Sequence, residues 1–241
     1  MSAVYDEDVS TVYEAFYAGR GQDFAADAGV LAAIARARGR TRSVLDVACG
    51  TGAHLRGLSE HFADLAGVEL SPSMCAVARG RLDGIPVHQG DMRDFDLGRT
   101  FDVVCCLTSS LGYMADEAEL AAACRRMAAH LVPGGLLAVD PWWSPQSFRD
   151  GHVAGDVVRE PGRTILRLSH SRRTGAAVRH QADYLVAGPD GIRHLRHVQP
   201  LHLFTAEQYR TAIERAGCTA EHVAADGGFA ARGLFLGTKK P

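Results

Sequence analysis

Two stretches near the start of the chain carry apolar side chains at helical spacing: residues 26 to 38 (ADAGVLAAIARAR) and, more weakly, Asp8 to Ala18. An apolar stripe recurring every three or four residues predicts an amphipathic helix, so residues 1–40 read as a helical cap. From residue 43 the pattern turns into short apolar runs with helical stretches between them. SVLDVACGTG (43–52) and LAGVELS (65–71) predict strands on either side of a helix from Ala53 to Phe62. The rhythm continues with a helix over 72–82 opened by Pro72, strands at 85–88 and 101–107, a helix at 117–131 and a strand at 135–140. Strands separated by helices imply a parallel sheet with right-handed crossovers, so residues 41–150 form the core of an α/β domain.

After Trp143 the period becomes two. RTILRLSHS and AVRHQADYLVA alternate apolar and polar positions, and Glu160-Pro161-Gly162 and Gly188-Pro189-Asp190-Gly191 supply turns between the runs. Residues 151–204 therefore read as an antiparallel β insertion. A last helix over 205–216, N-capped by Thr205 with Gln208 completing a capping box, and strands near 219–224 and 232–238 return the chain to the sheet over residues 205–241. The whole reads as a single domain.

Composition narrows the partners. With 46% hydrophobic and 22% charged residues and a formal charge of -2, the 241-residue chain can bury a core and has no bulk attraction for nucleic acid or anionic lipid, which leaves a small-molecule substrate. No apolar run approaches the roughly 20 residues of a membrane helix. Tyr5-Asp6-Glu7-Asp8 has none of the basic and apolar character of a signal peptide, so a cytoplasmic location is expected. The six cysteines form no CxxC pair and fit as reduced core residues. Eleven histidines raise the question of a metal, with His194, His197 and His202 in the insertion. On a strand an offset of three puts His194 and His197 on opposite faces, and no HExxH motif is present, so no metal is expected.

Candidate chemistry concentrates at the first strand-to-helix turn, Asp46-Val47-Ala48-Cys49-Gly50-Thr51-Gly52. Gly50 and Gly52 let the backbone approach a ligand closely. Seventeen residues after Gly52, Glu69 closes the second strand, where a carboxylate accepts both hydroxyl hydrogens of an adenosine ribose, with Leu70 beside it. A glycine turn or a strand-end carboxylate alone is often structural; at these spacings the two belong to one nucleoside site. A dinucleotide fold needs GxGxxG, and here the third position is Leu55. Asp46 would repel a pyrophosphate and suits a ligand carrying an amino group and a sulfonium, which points to S-adenosylmethionine (SAM). After the third strand, Asp91 and Met92 in Gly90-Asp91-Met92-Arg93 are placed to read the adenine edge and pack on its face.

These residues resemble the class I SAM-dependent methyltransferases, whose sheet is Rossmann-like. Nearly the whole chain is similar to one subgroup, the N,N-dimethyltransferases of dTDP-amino sugars of the desosamine and mycaminose type. The resemblance rests on YAGRGQDF (17–24), LDVACGTGAHL (45–55), HQGDMRDFDLGR (88–99), TSSLGYM (108–114), DPWWSPQSF (140–148), RLSHSRRTG (167–175), HLFTAEQY (202–209) and RGLFLG (232–237). DPWW, SHS and RGLF are far more specific than the glycine motif. The chain departs from the pattern at Asp140, where Glu precedes Pro-Trp-Trp, at Ser144, where an aromatic is usual, and over Gly227–Ala231, where Gly-Pro-Ser-Gly is usual. These differences bear on the sugar and leave the cofactor half untouched.

The resemblance implies N-methylation of a dTDP-linked amino-deoxyhexose in antibiotic biosynthesis, with S-adenosylhomocysteine as product, and a homodimer. By similarity, Ser171, Arg172, Arg232 and His170 are expected at the phosphates or nucleotide, and Tyr5 and Tyr13 in the cap over the ligands. The insertion is compatible, with eight arginines against four acids between residues 151 and 204. Tyr113 and Asp140 lie just past the fourth and fifth strands, the edge where open α/β sheets bind ligands, and are candidates to orient or deprotonate the amine. Trp142 and Trp143 alternate sides if extended, so at most one is expected at the acceptor, Trp142, and the other in the core. An O- or C-methyltransferase, a Rossmann oxidoreductase and a non-catalytic SAM-binding protein remain as alternative readings of the residues.

Overall fold

The computed structural model describes residues 7–224 and 232–241. Two helices, α1 (Glu7–Gly19) and α2 (Phe24–Ala37), precede the sheet. Strands β1 (Ser43–Val47), β2 (Asp64–Glu69), β3 (Val87–Gln89), β4 (Phe101–Cys106) and β5 (Leu131–Val139) alternate with α3 (Ala53–Leu58), α4 (Pro72–Arg81) and α5 (Glu117–Ala129). A short 3-10 helix, Ser110–Tyr113, follows β4. Four long strands come next: β6 (His152–Glu160), β7 (Arg163–Thr174), β8 (Ala177–Gly188) and β9 (Gly191–His202). The chain closes with α6 (Ala206–Arg215), β10 (Glu221–Val223) and β11 (Leu234–Thr238).

The main sheet runs β10-β11-β5-β4-β1-β2-β3. The first five strands in sequence pair in parallel, while β11 runs antiparallel to β5 and β10 antiparallel to β11. From β1 the chain moves outward through β2 and β3 and then crosses back to β4, so strand order reverses between β1 and β4. That switch point opens a crevice at the carboxyl ends of the strands. Side chains alternate along each strand. Leu45 and Val47 join Leu120, Met127 and Ile213 on the face covered by α5 and α6. Val44 and Val103 join Leu31, Ala35, Leu55 and Leu58 on the face covered by α2 and α3.

The period-two region forms a separate antiparallel sheet, β6-β7-β8-β9. Part of its inner face packs on α1, where Val9, Val12 and Phe16 meet Val158, Ile165, Tyr184 and Leu195. The insertion and the N-terminal helix thus share one core and cover the crevice together.

Among the boundaries that differ from the sequence reading are the end of α3 and the start of β5. α3 stops at Leu58 rather than Phe62, because Ser59 bonds back to the Arg56 carbonyl and the chain turns to bury Phe62 and hang Ala63 and Asp64 on the Arg42 carbonyl. β5 begins at Leu131 rather than 135: an irregularity between Phe101 and Val103 lets Pro133-Gly134 be absorbed within the pairing.

Candidate active site

A cavity of about 770 Å³ fills the crevice between the two sheets. Its floor begins at the turn after β1, where Ala48 and Gly50 have φ of 61° and 57°. A side chain at Gly50 would meet no protein atom within 4 Å, so the space beside it is open to a ligand. The Gly50 N–H donates to Glu69 Oε2 at 3.0 Å and the Ser71 N–H donates to Oε1 at 2.8 Å. The carboxylate is therefore held by two backbone donors and still has lone pairs for ribose hydroxyls. Burial raises the Glu69 pKa and these backbone bonds pull it back. The Gly90 N–H donates to the Glu69 carbonyl at 2.9 Å, which brings the turn carrying Asp91 and Met92 alongside. The Arg93 guanidinium and backbone N–H both donate to Asp91, holding its carboxyl below the usual carboxylate range.

The far end of the cavity is built around Asp140, immediately after β5. It is 4% exposed, accepts from the Ser109 N–H at 3.1 Å through Oδ2, and has no hydrogen-bond partner at Oδ1 among the described residues. Burial pushes it up to about 6, opposed by the Arg232 guanidinium at 3.9 Å. Arg232 donates to the Pro141 carbonyl and to Ser109 Oγ, and lies 5.1 Å over the Trp143 ring. Thr108 and Ser109 both adopt positive φ, 53° and 62°; two consecutive non-glycine residues there store strain and aim the Ser109 N–H at Asp140. Tyr113 lines the same wall.

Residues 44–135 match the family model described as a methyltransferase domain. The chain is 47% identical over 236 residues to the dTDP-3-amino-3,4,6-trideoxy-alpha-D-glucopyranose N,N-dimethyltransferase of Streptomyces venezuelae, covering 97% of this chain and 99% of that one. The chain belongs to the family of SAM-dependent dTDP-amino-sugar N,N-dimethyltransferases. The solved sugar N-methyltransferase KedS8 from Streptoalloteichus sp ATCC 53650 matches this methyltransferase at 55% identity with a TM-score of 0.89, over 100% of this chain and 98% of that one. SAM-bound CalS10, an amino pentose methyltransferase from Micromonospora echinaspora, matches at 46% identity with a TM-score of 0.87, over 95% and 97%.

In this methyltransferase Ala48, Gly50, Glu69, Leu70, Asp91 and Met92 line one end of the cavity. Tyr13, Tyr113, Asp140, Trp142, Ser171 and Arg232 line the rest. Asp46 does not line it. Alternation along β1 puts Asp46 on the Val44 face, under α3, where it is 1% exposed, beside Cys105 Sγ at 3.6 Å, and pushed up to about 6 by burial. Gly52 does not line it either. It sits at φ 79° at the N-terminus of α3, and an added Cβ would stand 2.6 Å from Leu82, so this glycine serves helix packing. His170 and Arg172 point away from the cavity, because alternation along β7 turns Ser169 and Ser171 inward and those two outward. Trp143, expected in the core, is 42% exposed, while Trp142 is half-buried against Val178, Leu201 and Leu203; β5 ends at Val139, so strand alternation does not apply, and both line the cavity. Tyr5 and the Gly227–Ala231 segment lie outside the described residues.

Sequence reasoning missed two groups. Asp27 on α2 is 1% exposed in the cavity wall; its Oδ2 accepts from the Gln22 amide and lies 3.4 Å from His54 Nε2, and its Oδ1 has no hydrogen-bond partner among the described residues. The signal was present: an acid on the buried stripe Phe24-Asp27-Ala28-Leu31 of an alanine-rich helix. The second group is Arg167, Ser169 and His180 on the inner face of the insertion.

The residues fit SAM. An open glycine cradle, a strand-end carboxylate with free lone pairs and a buried acid with an oxygen unbonded among the described residues suit a nucleoside with a cationic tail. Leu55, at the third glycine position of a dinucleotide motif, is fully buried in the core, where that motif needs a glycine for close helix–strand packing.

Proposed function

We propose that this methyltransferase transfers methyl groups to the amino nitrogen of a dTDP-linked amino-deoxyhexose in antibiotic sugar biosynthesis. The observation that carries the reading is the continuity of one cavity from Gly50, Glu69 and Asp91, past Asp140 and Tyr113, to Ser171 on the inner face of the insertion. A nucleotide sugar is long enough to need that second half, and the relatives act on such sugars.

Glu69 would hold the ribose and Asp91 with Met92 the adenine, while Asp27 receives the cationic amino group. When bound, SAM supplies an electrophilic methyl group to a neutral amine. The chain's own work is to align the nitrogen lone pair, exclude water and take up the amine proton. Asp140 Oδ1 is the acceptor for that proton, since it is buried, carries no hydrogen bond among the described residues, and belongs to a carboxyl that burial raises to about 6 against the pull of Arg232. Tyr113 and Trp142 shape the wall around the sugar, and Ser171 and Arg232 take the nucleotide end.

The enzyme works as a homodimer. Val153, Val157, Leu168, Leu185, Ile192 and Val198 are all exposed on the outer face of the insertion sheet, a surface that a single-sided antiparallel sheet ordinarily keeps polar. A second copy related by a two-fold axis covers it with the same face. Six free, buried cysteines favour the reducing cytoplasm.

Incubation with SAM and dTDP-3-amino or dTDP-4-amino sugars, read by mass spectrometry, tests the reading. One or two methyl increments on the sugar nitrogen are expected. Methylation confined to hydroxyl-bearing or aromatic acceptors would instead favour an O- or C-methyltransferase.

A further inference from the structure

The helix α1 presents three different stripes, each set by helical spacing. Val9, Val12 and Phe16 are buried and join Val158, Ile165 and Tyr184 in the core of the antiparallel sheet. Tyr13 and Tyr17, one turn apart, have ring centroids 4.6 Å from each other and line the cavity. Ser10 and Glu14, also one turn apart, reach α4 and the turn after β1 instead. Ser10 Oγ lies 2.9 Å from Ser73 Oγ, which lies 2.8 Å from Ser71 Oγ, and the Ser71 backbone N–H holds Glu69. One helix of 13 residues therefore touches the main-sheet half, the insertion and the space between them.

Glu14 is where the helix is fixed. Its carboxylate accepts from Thr51 Oγ1 at 3.0 Å, from Arg56 Nη2 at 3.1 Å and from the Arg81 guanidinium. These donors come from the turn after β1, from α3 and from α4. Thr51 is buried, lines the cavity and stands between Gly50 and Gly52, both at positive φ. Apolar packing is non-directional and would let α1 rotate or slide on the insertion core. Hydrogen bonds to a carboxylate are directional and charge-assisted, so Glu14 sets the rotation of α1 and with it the direction of Tyr13 and Tyr17. At the far end of the helix an added Cβ on Gly19 would stand 2.3 Å from Val158 Cγ1, so α1 fits closely against β6 and moves only together with it. The Arg20–Asp156 pair there, at 3.3 Å and partly exposed, adds little by comparison.

We propose that Glu14 is a positioning residue for both ends of the cavity: it seats α1 on the turn after β1 and on the insertion at once, and the seated form is the one that cofactor and acceptor both bind. The acceptor half of this rests on the nucleotide-sugar reading above. A ligand that binds only the seated form loses affinity in proportion to the unseated fraction, and a second such ligand restores it. With the latch whole, α1 is seated beforehand and the two ligands bind almost independently. With the latch broken each ligand must seat the helix itself, so the two become mutually dependent, by the same factor in both directions.

Calorimetric titration of the full chain with S-adenosylhomocysteine and with dTDP, each alone and with the other saturating, reads this directly. Glu14→Ala should weaken each ligand alone roughly three- to tenfold, within the worth of one charge-assisted hydrogen bond. Saturating dTDP should then return S-adenosylhomocysteine affinity to near that of the unaltered chain. Glu14→Gln, which still accepts from Thr51 but loses the attraction of both arginines, should show the same pattern more weakly, and it decides if Glu14→Ala does not fold. Unchanged affinities in a folded variant overturn the proposal, and so does a coupling factor no larger than that of the unaltered chain, because Glu14 then acts on the turn alone. If the unaltered chain fails to bind dTDP, the nucleotide-sugar reading falls and hydrogen exchange decides the role of Glu14. S-adenosylhomocysteine must protect the α1 and β6 amides more in Glu14→Ala than in the unaltered chain, and equal protection refutes the latch.

Discussion

Asp140 and Asp46 show how one residue type takes two roles. Both are buried and both are pushed up to about 6, yet only Asp140 faces the cavity. Burial disfavours the charged carboxylate, so between the ordinary value of 3.8 and about 6 the folded chain holds a proton at Asp140 that the unfolded chain has released. Stability contributed by this site therefore falls as pH rises through that window, and Asp140→Asn should remove that part of the slope in pH-dependent denaturation. The same group sets an expectation for activity. kcat/KM should rise with an apparent pKa of about 6 in the free enzyme, because the ionised form is the proton acceptor. In Asp140→Asn that limb should vanish while S-adenosylhomocysteine still binds; a limb that persists at the same pH belongs to another group.

At the scale of elements, the turn from β1 into α3 is where local backbone and ligand geometry coincide. Three residues within five positions, Ala48, Gly50 and Gly52, take positive φ. Gly52 allows α3 to start against α4: replacing it with alanine forces a left-handed conformation and drives a methyl to 2.6 Å from Leu82 Cδ1. Gly52→Ala should cost about 1–3 kcal/mol from strain and overpacking, seen as a fall in Tm of about 2–4 °C per kcal/mol. Because Gly52 does not line the cavity, cofactor affinity measured well below Tm should change much less than stability. A large affinity loss at unchanged Tm would restore Gly52 to the ligand site. The turn, the α6 capping box and the strand alternation were all legible in the sequence, since each depends on residues a few positions apart.

The whole molecule adds a constraint that neither sheet carries alone. The antiparallel sheet uses its inner face twice, over α1 as a core and over the crevice as a cavity roof, and leaves six large apolar side chains outside. Leu168→Asp combined with Leu185→Asp, both exposed and outward, should convert the proposed dimer to a monomer in analytical ultracentrifugation with S-adenosylhomocysteine affinity retained. An unaltered chain that sediments as a monomer at micromolar concentration removes the dimer. The outward apolar positions are visible in the sequence only as one half of an alternation, and which half faces inward is decided by what covers it.

That division holds throughout. Period, caps and turn glycines are short-range, so the sequence by itself determined the order of helices and strands, the α/β class and the nucleoside turn that Gly50 and Glu69 share. Facing is long-range: a strand presents both its faces until a helix or a second sheet covers one, and a shift of one residue exchanges them. Only the tertiary structure therefore placed Ser171 inside and Arg172 outside, buried Asp46 under α3, and brought Asp27 and Arg167 from two distant elements to the walls of one cavity.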